Sequence, residues 1–323
     1  MASSDHQIPP FPWGYTPEEE HYAHNGVKNE RGFIDSGRGI KLFTQSWIPL
    51  HKPIRALLFM VHGYGNNTSW TFQNTAILFT QMGLASFALD LEGHGQSGGL
   101  IGFTPDLDVV AEDCFSYFSS IKQKTEYSHL PCFLYGESMG GAICLLLHFK
   151  APQTWDGAIL VSPMCKLSDN MLLPWPIVSI LRFMVVWFPK WAILPTKDLV
   201  DMSIKDPKKR ELGRHNPMRY SGKPRLGTVN AILKTTSYIE KHLQDVDFPF
   251  LVLHGDADVV TDPSVSQALY ENAKSSDKSI RIYKGMMHSL LQGEPDENVS
   301  IILADIASWL DDHIGPELPI SQS

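Results

Sequence analysis

Gly136-Glu137-Ser138-Met139-Gly140 decides the reading of this sequence because of what stands on either side of it. Before it, Cys132–Tyr135 is a short apolar run; after it, Gly140–Lys150 is a compact apolar segment of helical length. A strand that turns at once into a helix through GxSxG is a nucleophile elbow. The turn is tight enough to strain the serine backbone, and a Cβ two residues to either side would collide. Glycine at 136 and 140 removes both. The turn lifts the Ser138 hydroxyl out at the carboxyl end of the strand, beside a helix N-terminus that favours negative charge. GxSxG alone matches often by chance; its place between strand and helix gives it weight.

The neighbouring sequence supplies a sheet for that elbow. Ala56–Val61, Leu84–Leu89 and Ala158–Val161 are further short apolar runs, joined later by Phe250–Leu253 and a weaker Ile280–Tyr283. Such runs suit strands buried on both faces of a parallel sheet. Ile40–Trp47 alternates enough for a half-exposed edge strand. Thr104-Pro105 reads as a cap opening a helix through Phe118, Asp262-Pro263 opens one to Ala273, and Glu297–His313 is amphipathic. The alternation predicts a doubly wound, mostly parallel α/β sheet with right-handed crossovers. Residues 1–32, rich in Pro, Gly, His and acid, read as an N-terminal extension, and residues 33–163 and 228–323 as the core.

Residues 164–227 break the alternation and read as a helical cap insertion. Met171–Pro195 within it is strongly apolar, but a membrane span needs about 20 uninterrupted apolar residues. Pro174, Pro176, Arg182, Pro189, Lys190 and Pro195 interrupt this run. The segment is expected to cover something apolar, with Trp175, Trp187 and Trp191 as candidate pocket residues.

A serine hydroxyl needs a base to take its proton and an acid to orient that base. Three aspartates follow the strand Phe250–Leu253. Asp262 is accounted for as a helix cap and Asp256 as a turn former. Asp258 is left as the acid. His288 stands in the Gly-containing loop after the last strand and before the final helix, which suits the base; His129, His148, His215 and His313 read as surface or packing residues. The backbone N–H groups of Tyr64, after the strand Ala56–Val61, and of Met139 are the candidate oxyanion donors, with His62 bracing the loop. One such donor is worth about 2.7–4 kcal/mol of barrier stabilisation.

Other chemistries find less support. Gly93-His94-Gly95-Gln96-Ser97-Gly98 matches GxGxxG, but loop rather than helix follows and Asp113 falls inside a helix, so no dinucleotide site is expected. His21 and His24 have no further ligands, and neither metal nor cofactor is expected. With 27 basic and 35 acidic side chains the net charge is −8, which argues against a nucleic-acid partner, and Lys208-Lys209-Arg210 reads as a solvated face. The 323 residues, 43% hydrophobic, suffice for a large core. Four scattered cysteines and a polar, Pro-containing start predict reduced thiols and a cytoplasmic protein.

These residues together resemble the α/β-hydrolase family, and more closely its monoacylglycerol lipase branch and the plant subgroup that includes caffeoylshikimate esterases. The resemblance runs from about Thr16 onward. It rests on His62-Gly63-Tyr64-Gly65, Gly93–Ser97, Gly136–Gly141 and His254–Pro263, with Gly222-Lys223-Pro224-Arg225, Tyr283–His288 and Gly293–Asn298 pointing to the plant subgroup. It implies a triad of Ser138, Asp258 and His288 and a cap over about 164–227. A His-x4-Asp pattern tied to acyl transfer in some plant members, often near the Gly-His-Gly loop, is not met there, since Gly99 stands five residues after His94. The expected function is a serine carboxylic ester hydrolase acting on a small-molecule ester through an acyl-enzyme. A monoacylglycerol or lysophospholipid is placed first, a hydroxycinnamoyl ester such as caffeoylshikimate second. The cap is a candidate for peripheral membrane contact. A hydrolase fold kept as a small-molecule receptor is the reading from a different class.

Overall fold

The computed structural model describes residues 9–165, 183–193 and 198–314. Eight strands form one sheet: β1 (Val27–Asp35), β2 (Lys41–Pro49), β3 (Ala56–Val61), β4 (Leu84–Leu89), β5 (Cys132–Glu137), β6 (Gly157–Val161), β7 (Phe250–Gly255) and β8 (Lys278–Tyr283). Their order is β1-β2-β4-β3-β5-β6-β7-β8. β1 pairs with β2, and β2 with β4, antiparallel; every later pairing is parallel. The doubly wound α/β expectation holds.

β3, β4, β6 and β7 are buried along their whole length, as their continuous apolar runs require. Alternate residues feed two cores. Leu57, Phe59 and Val61 pack on the face that also holds α3 (Leu107–Lys122) and α4 (Met139–Lys150). Leu58 and Met60 point the other way, onto α2 (Thr71–Gln81) and the helix Asp296–Ile314. Each fully buried side chain of this kind contributes about 1.5–3 kcal/mol.

Three details differ from the sequence reading. The strand over Ile40–Trp47 is interior, not an edge; β1 is the edge, so the sheet begins inside the segment read as an extension. Ahead of β1, α1 (Glu18–His24) buries Tyr22, whose hydroxyl donates to Gln73 and accepts from Gln45 and Arg31. α3 starts two residues later than expected, because the Asp106 carboxylate accepts the Asp108 N–H. Thr104 instead gives its backbone N–H to Thr228 Oγ1, 2.9 Å away.

The strand order turns at β3, which runs to β4 on one side and to β5 on the other. Crevices outside the carboxyl ends of strands at such a reversal are where open α/β sheets bind ligands. Within the region read as a cap, residues 183–187 are helical, followed by the helices Leu199–Ser203 and Pro207–Arg214. Among the described residues no helix is long and apolar enough to cross a membrane.

Candidate active site

Ser138 sits between the end of β5 and the first turn of α4 with φ 54° and ψ −116°, a left-handed conformation that costs a non-glycine residue about 1–3 kcal/mol. The surroundings enforce it. Ser138 N–H donates to Val161 O at 3.0 Å, and the elbow glycines admit backbone where side chains would stand. A Cβ on Gly140 would overlap the Val61 carbonyl, and one on Gly141 would lie 2.7 Å from Pro163 Cβ. Gly63 faces Ser138 from the β3 loop; a Cβ there would come within 3.3 Å of Ser138 Cβ.

Asp258 and His288 meet although they are far apart in sequence. His288 Nδ1 lies 2.6 Å from Asp258 Oδ2. Asp258 Oδ1 accepts the N–H groups of Val260 and Thr261, at 2.7 and 3.1 Å, and Oδ2 also accepts the Thr261 hydroxyl at 2.9 Å. Burial opposes ionisation of Asp258, but the charge of His288 and the hydrogen bonds from His254 and His288 outweigh it and hold the carboxyl well below the usual range. With Nδ1–H given to the carboxylate, the lone pair of His288 is on Nε2. His288 and Ser138 line the same cavity of about 140 Å³. Ser162, itself at φ 44°, holds the His288 backbone by donating from Oγ to His288 O at 2.9 Å.

The loop after β3 is braced as expected. His62 Nε2 accepts the Leu91 N–H at 3.1 Å, so Nδ1 carries the proton and donates to Gly63 O at 2.8 Å. Burial drops His62 to about 4. Both its nitrogens are engaged, which leaves it no part as a base. Among the described residues neither Tyr64 N–H nor Met139 N–H donates to a backbone carbonyl, and Met139 opens α4. The GxGxxG segment is loop, tied by Gly93 N–H to Gly98 O and by Gln96 N–H to Asp90 Oδ2. Among the described residues no group of three or more His, Cys, Asp or Glu could hold a metal.

A family model described as serine aminopeptidase, S33 (Hydrolase_4), matches residues 52–296. The chain belongs to this α/β-hydrolase family. Caffeoylshikimate esterase of Arabidopsis thaliana is 41% identical over 303 residues, 94% of this chain and 91% of that protein. Human monoglyceride lipase is 30% identical over 274 residues, 84% of this chain and 87% of that protein. A solved soluble variant of monoglyceride lipase from Saccharomyces cerevisiae superposes with a TM-score of 0.79 at 22% identity, covering 94% of this chain and 99% of that one, which shows the fold. With the family and these relatives, the chain is an ester hydrolase.

In this hydrolase two of the three candidate pocket tryptophans, Trp187 and Trp191, do not line the cavity that holds Ser138 and His288. Trp175 lies outside the described residues. Trp187 and Trp191 are 68% and 47% exposed, and the described cavity wall from this region includes instead the apolar Leu199, Val200 and Ile204 with Ser203, Arg219 and Tyr220. Apolar character alone did not tell an inward face from an outward one. The sequence reading also passed over His254. Fully buried at the end of β7, it brings Nε2 to 3.0 Å from Asp258 Oδ2, while its Nδ1 is 2.7 Å from Ser266 Oγ. A carboxylate only accepts, so Nε2–H donates and Ser266 donates to Nδ1. Two imidazoles therefore address one aspartate oxygen. Its position four residues ahead of the acid was the available signal.

Proposed function

We propose that this ester hydrolase works through Ser138, His288 and Asp258, with Tyr64 N–H and Met139 N–H as oxyanion donors. Ser138 Oγ attacks the ester carbonyl as His288 Nε2 takes its proton, and Asp258 holds the resulting imidazolium. The carbonyl oxygen, now negative, accepts from the two backbone N–H groups. Collapse of the tetrahedral species expels the alcohol, which recovers the proton from His288. Water then repeats the sequence on the acyl-enzyme. The observation that carries this reading is the 2.6 Å contact between His288 Nδ1 and Asp258 Oδ2 beside a serine held at a strained elbow.

The substrate we put first is a hydroxycinnamoyl ester of the caffeoylshikimate type. The 41% identity to an enzyme of that name reverses the order in which the sequence placed the two esters. The 30% identity to human monoglyceride lipase favours a monoacylglycerol as the second reading. We further place the enzyme in the cytoplasm, with the exposed Phe183, Val186 and Trp187 as the part that would meet a membrane. The test is kcat/KM for caffeoylshikimate beside that for a monoacylglycerol, with Ser138→Ala as the blank. A higher value for caffeoylshikimate is expected. No turnover of either ester above the blank would overturn the hydrolase mechanism.

A further inference from the structure

The mechanism above leaves one cavity-lining residue that carries a carboxyl without a task. Glu137, next to the nucleophile, lines the cavity together with Gln292, Asn66 and Thr71. Its Oε1 accepts the hydroxyl of the buried Tyr135, and its Oε2 accepts the amide N–H of Gln292. Gln292 Oε1 in turn accepts the Thr71 hydroxyl at 2.7 Å and the Asn66 amide at 3.2 Å. Burial pushes the Glu137 carboxyl up from its ordinary value, while both hydrogen bonds and the charge of His288 pull it back toward ionisation. Among the described residues no Lys or Arg pairs with it. Arg219, on the same cavity, is committed to Asp198 through two hydrogen bonds of 2.9 and 2.8 Å.

A carboxylate brought to a cavity wall without a cation costs free energy unless donors satisfy it. Two donors are built in, and each carboxylate oxygen retains accepting capacity. The side of the cavity is fixed by the chemistry. His288 must return its proton to the departing alkoxide, so the alcohol half of the ester lies against His288. Gln292 stands four residues after His288, in the short helix Leu290–Gly293, and joins Glu137 directly.

We infer that Glu137 and Gln292 form an alcohol-side subsite that reads a hydroxyl on the carbon next to the ester-bearing carbon, with Glu137 accepting that hydroxyl's proton in a hydrogen bond. The inference rests on the ester hydrolase mechanism proposed above and adds the class of alcohol it selects. Glycerol and shikimate esters both carry such a hydroxyl; a methyl ester does not.

The experiment compares two pairs of esters that share an acid: caffeoylshikimate with methyl caffeate, and monooctanoylglycerol with methyl octanoate. The readout is the ratio of kcat/KM within each pair, for wild type, Glu137→Gln and Gln292→Leu, with Ser138→Ala as the blank. A hydrogen bond to a charged acceptor predicts that Glu137→Gln lowers the ratio by about tenfold or more. Gln292→Leu, which removes a donor to the same carboxylate, lowers it in the same direction and serves if the first variant folds poorly. The pair in which the ratio collapses identifies the shikimate or the glycerol type as the source of the hydroxyl. A ratio unchanged in both variants, or a wild type with no preference for the hydroxyl-bearing ester, overturns the subsite. Turnover by Ser138→Ala equal to wild type on all four esters overturns the mechanism beneath it, a result distinct from an unchanged ratio.

Discussion

His254→Leu tests how Asp258, the acid of the proposed triad, is held. In the native protein Asp258 Oδ2 accepts from His288 at 2.6 Å and from His254 at 3.0 Å, so the two imidazoles divide one oxygen's negative charge. Leucine removes one donor and leaves more of that charge facing His288 Nδ1–H, which favours the protonated imidazole. The acidic limb of kcat/KM, below which His288 cannot act as a base, therefore moves to higher pH. Glu137, whose carboxyl also feels the charge of His288, is left in place by the substitution. A hydrogen bond to a charged group is worth about 1.5–3 kcal/mol, and if roughly half of it distinguishes the two states of His288 the limb moves by roughly 0.5–1 pH unit. His254→Gln, which retains an N–H donor, should keep the limb near its native position. The assay is kcat/KM on one ester from about pH 5 to 9 for the three proteins. A limb that stays in place in His254→Leu while the rate falls uniformly, or one that moves equally in His254→Gln, would refute the shared-acceptor argument.

Buried His62 and His94 are both held down to about 4 by desolvation, so the unfolded chain binds their protons first. Stability is then fully present above about pH 6.5 and declines as pH falls toward 4, by a few kcal/mol in all; thermal melts across that range should show it, and His94→Asn should flatten the curve. Gly140→Ala drives a Cβ into the Val61 carbonyl, and the elbow must shift. Activity should fall by orders of magnitude with a Tm lower by several degrees, and a near-native kcat would contradict the packing. Trp187→Ala removes a side chain that is 68% exposed, so chemical denaturation should place its stability within about 0.5 kcal/mol of wild type; a loss of 3 kcal/mol or more would mean a buried tryptophan.

The parts of this protein that were legible in the sequence are those where local chemistry and tertiary environment agree. β3, β4, β6 and β7 are buried on both faces, so nearly all their side chains are apolar whatever lies around them. Ser138, Asp258 and His288 each follow a strand, and their order and settings in the chain were enough to single them out as candidates, of which the fold brings Asp258 and His288 into contact. β1 was not legible because its sequence, Val27-Lys28-Asn29-Glu30-Arg31-Gly32-Phe33, is polar and largely exposed; it is a strand because β2 offers it an antiparallel register. His254 and Glu137 escaped for a related reason. Each acts on a neighbour that only the folded loops bring within reach.

The loop bearing His288 owes its position to the region read as a cap as well as to the sheet. Ser289 N–H donates to Ser203 O at 2.9 Å, and the N–H groups of Lys205 and Asp206 both donate to Gly293 O, at 3.0 and 2.8 Å. Lys205 Nζ reaches Gly285 O at 2.7 Å, and the buried Glu294 accepts the Met287 N–H at 2.7 Å. The segment over residues 203–206 thus grips the loop that bears His288 on both sides of it. The helix just before it, Leu199–Ser203, contributes Leu199, Val200 and Ser203 to the cavity wall. A substrate that displaces this helix must either break the Ser289–Ser203 bond or carry Ser289 with it. Ser162 and Asp258 hold His288 from the sheet side against that displacement, through its carbonyl and its ring. Acyl or alcohol groups that fit without moving Leu199–Ser203 therefore leave the base aligned, and those that do not fit are penalised in kcat as well as in binding.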